Sequence, residues 1–324
     1  MAKSLNIEKC LDENKWDSFL KSSDYSSIFQ YCPYLDALNL RYSCYLVYNK
    51  NEIRAGFVII ENSDGTKGVL NDFVIYNGIA FGPVTTGQNK SQILSEHYSI
   101  LEFIADTLPT LYESFVLTLS PQINDIRPIL WHNYGTEHKK YNIDIRYTSI
   151  LPLKDFRGIN DIEESEVFKN GSKARRQEIR YAKREEVQTY ENYNINQFID
   201  LYRATMVRQE IEVDKIKTDQ MFNLVAKLYE NKLLKMYMSK TKDGEIGSIG
   251  CFAIDSNRSY YLFGANDPRL RTKHTGTAIL WDTFIELSKN NIKEIDLEGV
   301  NSPKRGWFKL SFGGDIEVNY RIKY

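Results

Sequence analysis

Hydrophobic positions along the chain fall into short runs whose period switches between helical and alternating. Over residues 11–21, Leu11, Trp16, Phe19 and Leu20 share one side, which predicts a helix. Runs rich in aromatic and β-branched residues at 42–48, 55–60 and 68–75 predict half-buried strands, with Asn62-Ser63-Asp64-Gly65 as a turn. A helical stretch over 91–108 is expected to stop at Pro109. A strand at 114–119, an aromatic segment at 127–135 and a long strand ending near Leu153 follow. The second half repeats this order: strands at 234–239, 247–254 and 259–264, a helix at 276–290, a strand at 293–297, an aromatic segment at 305–314 and a last strand at 316–323.

A shift of 178 residues places Arg127 on Arg305, Tyr134 on Phe312 and Gly135 on Gly313. Aromatic-glycine pairs recur by chance, so the shared order of elements carries more weight than the identities. The pattern predicts a duplicated α/β (α+β) unit, with lobes at 1–155 and 156–324, each a mixed central sheet flanked by helices. A helical, charge-dense connection spans 159–191, and helices at 195–207 and 218–230 lead into the second sheet. Within it, residues 171–184 hold six basic side chains and one acidic one.

At 324 residues the chain is long enough for two ordinary cores, and 42% apolar with 26% charged residues is a globular balance rather than a disordered one. A net charge of −1 gives no global steering toward nucleic acid or an anionic membrane. Cys10, Cys32, Cys44 and Cys251 show no paired spacing, and the four histidines are dispersed. Neither a disulfide framework nor a metal site is expected, and a reducing cytoplasm fits. No window approaches the roughly eighteen uncharged apolar residues of a membrane helix, and the N-terminal stretch lacks a signal-like apolar run. A soluble, cytoplasmic protein is expected.

The chemistry concentrates after the strand at 259–264. A polar loop, 265–275, leads into a helix opening near Gly276, and such a junction leaves backbone N–H groups unpaired at the helix start. Those groups and the helix dipole favour phosphate, provided small residues let it approach. Gly276, Thr277 and Ala278 supply the small residues, and Arg269, Arg271 and Lys273 add positive charge. His274 is a candidate hydrogen-bond donor to the phosphate or an ordinary exposed loop histidine.

Here the sequence resembles the GNAT superfamily of acyl-CoA N-acyltransferases, whose loop signature is matched by Lys273-x-x-Gly276-x-Ala278, with lysine where arginine or glutamine is usual. Four features resemble the two-lobed Fem/BioF2-like branch: Trp16-Asp17-Ser18-Phe19 leading to Ser27-Ile28-Phe29-Gln30, the basic helix through Arg175 and Arg184, Leu262-Phe263-Gly264-Ala265-Asn266-Asp267, and Asp296-Leu297-Glu298-Gly299 followed by Phe308-Lys309-Leu310-Ser311-Phe312-Gly313-Gly314. The resemblance covers almost the whole chain. It implies an acyltransferase that takes acyl-CoA as donor substrate, bound by Arg271, Lys273, His274, Thr275, Gly276, Thr277 and Ala278, with no metal. The first lobe lacks the glycine pair at its equivalent helix, around Leu94, so it is expected to wall in the acceptor, at a cleft between lobes.

Amide formation from a thioester needs a neutral amine, a stabilised oxyanion and a proton donor for the leaving thiolate. Asp296 and Glu298 alternate with Ile295 and Leu297, which predicts one shared strand face and makes the pair candidate general bases. The alternative is a solvated pair held by Lys304 or Lys309. Tyr260 and Tyr261 point oppositely, so one at most is a general acid, and Tyr261 is the candidate. Asn301 is expected either to hold a substrate hydroxyl or to cap a turn. Arg176 on the basic helix, with Lys304 and Lys309, is a candidate acceptor contact, although that helix reads by default as a solvated face, and a tRNA-backbone contact is a third reading. Cys251 reads as core.

Three functions remain open at this point. One is an N-acyltransferase acting on a small acceptor with a free amine, a nucleotide-linked amino sugar for surface polysaccharide being the favoured class, with no nucleic-acid partner. Another is a Fem-type ligase using aminoacyl-tRNA. The third is a non-catalytic binding protein on the same fold.

Overall fold

The computed structural model describes residues 5–159, 161–208, 214–290 and 292–324, with only the backbone described at 304 and 305. The chain forms two compact units, one running to Arg146 and including Val318–Tyr324, the other Tyr147–Glu317. The division falls inside a strand before the boundary expected at 155, and the return of the C-terminus to the first unit was not foreseen.

The first half runs β1 (Leu5–Cys10), α1 (Glu13–Ser22), α2 (Cys32–Ala37), β2 (Tyr42–Asn49), β3 (Glu52–Ile60), β4 (Ala80–Phe81), α3 (Lys90–Leu111), β5 (Val116–Thr118), α4 (Arg127–Leu130) and β6 (Asn142–Pro152). Strands β1 to β4 form an antiparallel sheet in sequence order. One face of α3, carrying Ile100, Leu101, Ile104 and Leu108, is buried in a cluster with Phe57, Ile59, Phe81 and Phe115. Each such side chain contributes about 1.5–3 kcal/mol by leaving water.

Two expectations fail here for local reasons. The run at 68–75 is no strand: Gly68 and Lys67 make only isolated bridges, and the Asn71 side chain and carbonyl take the N–H groups of Phe73 (2.9 Å) and Val74 (3.1 Å), closing a turn. Nor does Pro109 end α3, which continues to Leu111. Proline removes the N–H that would bond the Ala105 carbonyl, and the Tyr141 hydroxyl donates to that carbonyl at 2.8 Å instead.

The second half runs α5 (Glu166–Asn170), α6 (Lys173–Arg184), β7 (Gln188–Glu191), α7 (Ile195–Arg208), α8 (Lys215–Glu230), β8 (Leu234–Lys240), β9 (Ile246–Ile254), β10 (Arg258–Asn266), α9 (Thr275–Ser288), β11 (Glu294–Asp296), α10 (Pro303–Leu310) and β12 (Asp315–Lys323). In the second unit the sheet order is β6-β11-β10-β9-β8-β7. Its β10–β11 pair is parallel and the other described pairs are antiparallel. Ile279, Leu280, Phe284 and Leu287 of α9 share a core with Phe252, Ile295, Leu297 and Phe312.

Each half thus places four antiparallel strands before a helix, a strand, a short helix and a strand. The last strand of each half lies largely in the unit built by the other: residues 147–152 of β6 belong to the second unit, and 318–323 of β12 to the first. The fold is α/β in two tandem lobes. Among the described residues no helix is long and apolar enough to cross a membrane.

Candidate active site

The parallel pairing of β10 with β11 covers only Arg258 to Tyr260 against Glu294 to Asp296. Beyond Tyr260, β10 continues to Asn266 with β9 as its paired neighbour. The register between Tyr261 and Phe263 shifts, leaving Leu262 as a bulge residue. The two strands thus pair over three residues each and part beyond Tyr260.

Tyr261 is the first β10 residue beyond this pairing. Its ring packs on Phe252 (centroids 5.2 Å apart) and lies 5.1 Å beneath the Lys309 ammonium. A Cβ at residue 264 would stand 1.7 Å from the Tyr261 hydroxyl, so only glycine at 264 leaves the ring its place. Burial pushes the phenol's pKa up, which keeps it protonated. Tyr260, pointing the other way, is fully buried and donates to Asp255 at 2.9 Å.

Asp296 ends β11 and is 1% exposed. Its carboxylate accepts from the Thr148 hydroxyl and from the backbone N–H of Glu298 at 2.8 Å. The chain then leaves strand geometry, because Glu298 has φ +48° and Gly299 φ +52°. The expected strand alternation of Asp296 and Glu298 therefore fails: a tight left-handed turn, not a pleat, sets Glu298 beside Asp296. A non-glycine residue in that region is sparsely populated and persists only where surroundings hold it.

Glu298 is 7% exposed, and its Oε1 is buried with no hydrogen-bond partner among the described residues. Burial pushes its pKa well above the usual carboxylate range, and the Asp296 charge adds to this while Lys309 opposes it. Lys309, from α10, donates its ammonium to the Leu297 carbonyl and to the Glu298 carbonyl at 3.0 Å. It thus fixes the backbone of this turn.

The loop after β10 forms a 3-10 turn over Pro268–Lys273 and reaches α9 through His274 in the left-handed region (φ +59°). Thr275 is held by Ser248 (Oγ to Oγ1, 3.0 Å), which also donates to Asn266 Oδ1 at 2.7 Å. Glycine at 247 is required, since a Cβ there would meet Thr275 Oγ1 at 2.4 Å. The N–H groups of Thr277 and Ala278 bond back to the His274 carbonyl, whereas no acceptor reaches those of Thr275 and Gly276 among the described residues. Two open donors at a helix start are groups of the kind that favour an anion.

Other loop residues depart from expectation. His274 is not turned to a phosphate: its Nδ1 lies 2.6 Å from Glu178 and its Nε2 3.7 Å from Glu185. The hydroxyl of Thr277 accepts from the Arg175 guanidinium, which also bonds Ser311 (2.9 Å) and stacks over Phe308 and Phe312. Burial pushes the Arg175 pKa down to about 10. Arg271 and Lys273 are exposed, and Arg269 is paired with Asp267 at 2.6 Å. Arg176 sits half-buried on α6. Asn301 neither holds an open amide nor caps a helix: its amide accepts from the Tyr147 N–H (2.8 Å) and donates to the Tyr147 carbonyl (2.7 Å). The Lys304 side chain lies outside the described residues. Cys251 is buried in β9, as core.

The structure thus brings Tyr261, Lys309, Asp296 and Glu298 to one end of the β10–β11 pair, and Thr275 to Ala278 to the helix start after β10. Sequence reasoning missed Arg175, Ser248 and Gly247, which fix that helix start. Arg175 stood among six interchangeable basic residues, and only its neighbours in space distinguish it.

Residues 169–305 match the acetyltransferase (GNAT) domain family. Among solved structures, FemX is similar over 97% of this chain and 96% of its own, with 12% identity and a TM-score of 0.64. A conserved protein of unknown function from Bacteroides thetaiotaomicron VPI-5482 is similar over 98% and 99%, with 11% identity and a TM-score of 0.62. A tandem GNAT protein from the clavulanic acid biosynthesis pathway is similar over 99% and 98%, with 7% identity and a TM-score of 0.50. Comparison with curated proteins gives no sequence match. The class that residues 169–305 define is therefore an acyltransferase domain of the GNAT fold. More particularly, the second half carries the acetyltransferase (GNAT) domain match, and the two-lobed fold of the chain is similar to those of FemX and the tandem GNAT protein.

Proposed function

We propose that this protein transfers an acyl group from acyl-CoA to the amino group of a small polar acceptor, using Glu298 to take the amine's proton. The observation that carries this is the buried, unpartnered Glu298 Oε1 at the end where β10 and β11 part. The donor supplies a thioester carbonyl activated for attack. The open N–H groups of Thr275 and Gly276 suit its diphosphate, and the part of β10 beyond its pairing with β11 suits an extended amide-bearing arm. The amine nitrogen bonds to the acyl carbon, the carbon–sulfur bond breaks, and the protonated Tyr261 hydroxyl is the candidate donor to the departing thiolate. Asp296 and Lys309 are positioning residues that hold the Glu298 turn from its N–H and carbonyl sides.

For the acceptor, a nucleotide-linked amino sugar is the class we favour. Calorimetry with CoA, followed by transfer of labelled acetyl groups to a panel of amino-sugar nucleotides, tests the proposal. Binding and transfer support it, and the absence of any CoA binding refutes it.

Aminoacyl transfer from tRNA, the Fem-type alternative, is favoured by two observations. Glu178 and Glu185 stand beside the start of α9, where they oppose a free diphosphate, and the likeness to FemX extends over nearly the whole chain. Transfer from charged tRNA that ribonuclease abolishes, without CoA binding, selects this alternative.

A further inference from the structure

A second cluster of unsatisfied polar groups lies on the C-terminal half of α9, remote from the loop. Asp282 interrupts the apolar run Ala278-Ile279-Leu280-Trp281 and Thr283-Phe284. It sits seven residues after Thr275, about 10 Å further along the helix axis. Asp282, Ile285, Glu286 and Lys289 recur at the spacing that puts them on one helical face. That face borders a cavity of about 340 Å³ whose opposite wall is the edge of the sheet, β7 and β8. Across this edge Thr189 pairs with Ser239 and Glu191 with Tyr237, so these four side chains share a face.

The charges in the cavity do not balance. Glu286 is paired with Lys289 at 2.7 Å and Glu191 with Lys235 at 2.9 Å. Asp282 has no cationic partner among the described residues, and accepts one hydrogen bond there, from Thr189 Oγ1 at 2.6 Å. Thr189 Oγ1 is itself 2.7 Å from the Ser239 hydroxyl. Tyr237, also lining the cavity, is 1% exposed, and its hydroxyl is buried with no partner among the described residues. Burial raises the Asp282 pKa to about 6, as expected of a carboxylate without a counter-charge. An unpaired carboxylate and an unsatisfied phenol in one cavity are each costly in a protein interior. Both are relieved by one ligand that brings a positive charge and several N–H donors.

We propose that this cavity binds a small primary amine in its ammonium form, the ammonium bonding Asp282 and the Tyr237 hydroxyl while a short apolar stem lies against Ile285. The volume is at the lower end of ligand pockets, which limits the stem to a small chain or a single ring. The site is distinct from the end of β10 and β11 where acyl transfer is proposed, so the amine is a second ligand and not the acceptor.

Calorimetry on the full chain, with benzylamine as probe and neither acyl donor nor acceptor present, tests this separately from the transfer chemistry. Benzyl alcohol and benzoate serve as neutral and anionic controls. Benzylamine is expected to bind and the controls are not. Asp282→Asn should weaken binding about tenfold or more, since it removes a charge-assisted hydrogen bond. Tyr237→Phe should weaken it by a smaller factor, and it serves as the second variant if Asp282→Asn fails to fold. Absence of benzylamine binding, equal binding of benzyl alcohol, or binding unchanged in both variants overturns the proposal.

Discussion

The backbone N–H of Glu298 donates to the Asp296 carboxylate at 2.8 Å, two residues back along the chain. This bond closes the left-handed turn that carries Glu298 off the strand and into a buried position. Asp296→Ala removes the acceptor and leaves the Thr148 hydroxyl without it. It is expected to cost about 1–3 kcal/mol in urea unfolding and to lower acyl transfer with it. Asp296→Asn retains a carbonyl oxygen for the turn and should lose clearly less stability. Equal losses in the two variants would show that the turn does not depend on this acceptor.

Glu298 itself gives a signed dependence on pH. Its folded pKa is raised, so the folded chain holds a proton that the unfolded chain has already lost. Stability therefore falls as pH rises from the ordinary value of 4.5 toward the folded pKa. Glu298→Gln removes this penalty, and its melting temperature should exceed that of the natural chain by a margin that grows with pH. A margin independent of pH contradicts the assignment.

Gly247 is needed for the start of α9, since a Cβ would sit 2.4 Å from Thr275 Oγ1. Gly247→Ala is expected to cost about 1–3 kcal/mol and to weaken CoA binding by displacing the open N–H groups of Thr275 and Gly276. Thermal melts and calorimetry check both effects. Loss of stability with donor affinity intact would separate the helix start from the donor site.

Arg175 links α6 to α9 and α10 through Thr277, Ser311 and the rings of Phe308 and Phe312. Arg175→Ala should lower stability by about 1–2 kcal/mol or more, through the lost stacking and an unsatisfied Thr277. Arg176→Ala, on the same helix, should change it by less than half as much in denaturant titrations. Equal effects would return the basic run to a uniform solvated face.

Much of the fold was legible because strong patterns act locally. The runs at 42–48, 234–239 and 247–254 become β2, β8 and β9, and the helix opening near Gly276 becomes α9. Short edge strands were not legible: β7 is polar, and its pairing with β8 supplies an order its own residues do not announce. The exchange of final strands between halves was equally hidden, since pairing over such separations leaves no trace in local periodicity. At the site, sequence spacing brought Asp296 and Glu298 to attention, but for the wrong reason. Alternation predicted a shared strand face, whereas a positive-φ turn sets Glu298 beside Asp296. His274 and Asn301 drew attention as polar groups beside the motif, and their partners, Glu178 and Tyr147, are distant in sequence.

The central claim is that Glu298 takes the amine's proton, and the most direct measurement is the pH–rate profile of acyl transfer in the natural chain and in Glu298→Gln. The account predicts that kcat in the natural chain rises with pH through a value well above that of an ordinary carboxylate. It also predicts that Glu298→Gln loses about 10²–10⁴-fold in kcat together with that limb of the profile. A Glu298→Gln variant that keeps both its rate and the natural pH dependence would contradict it.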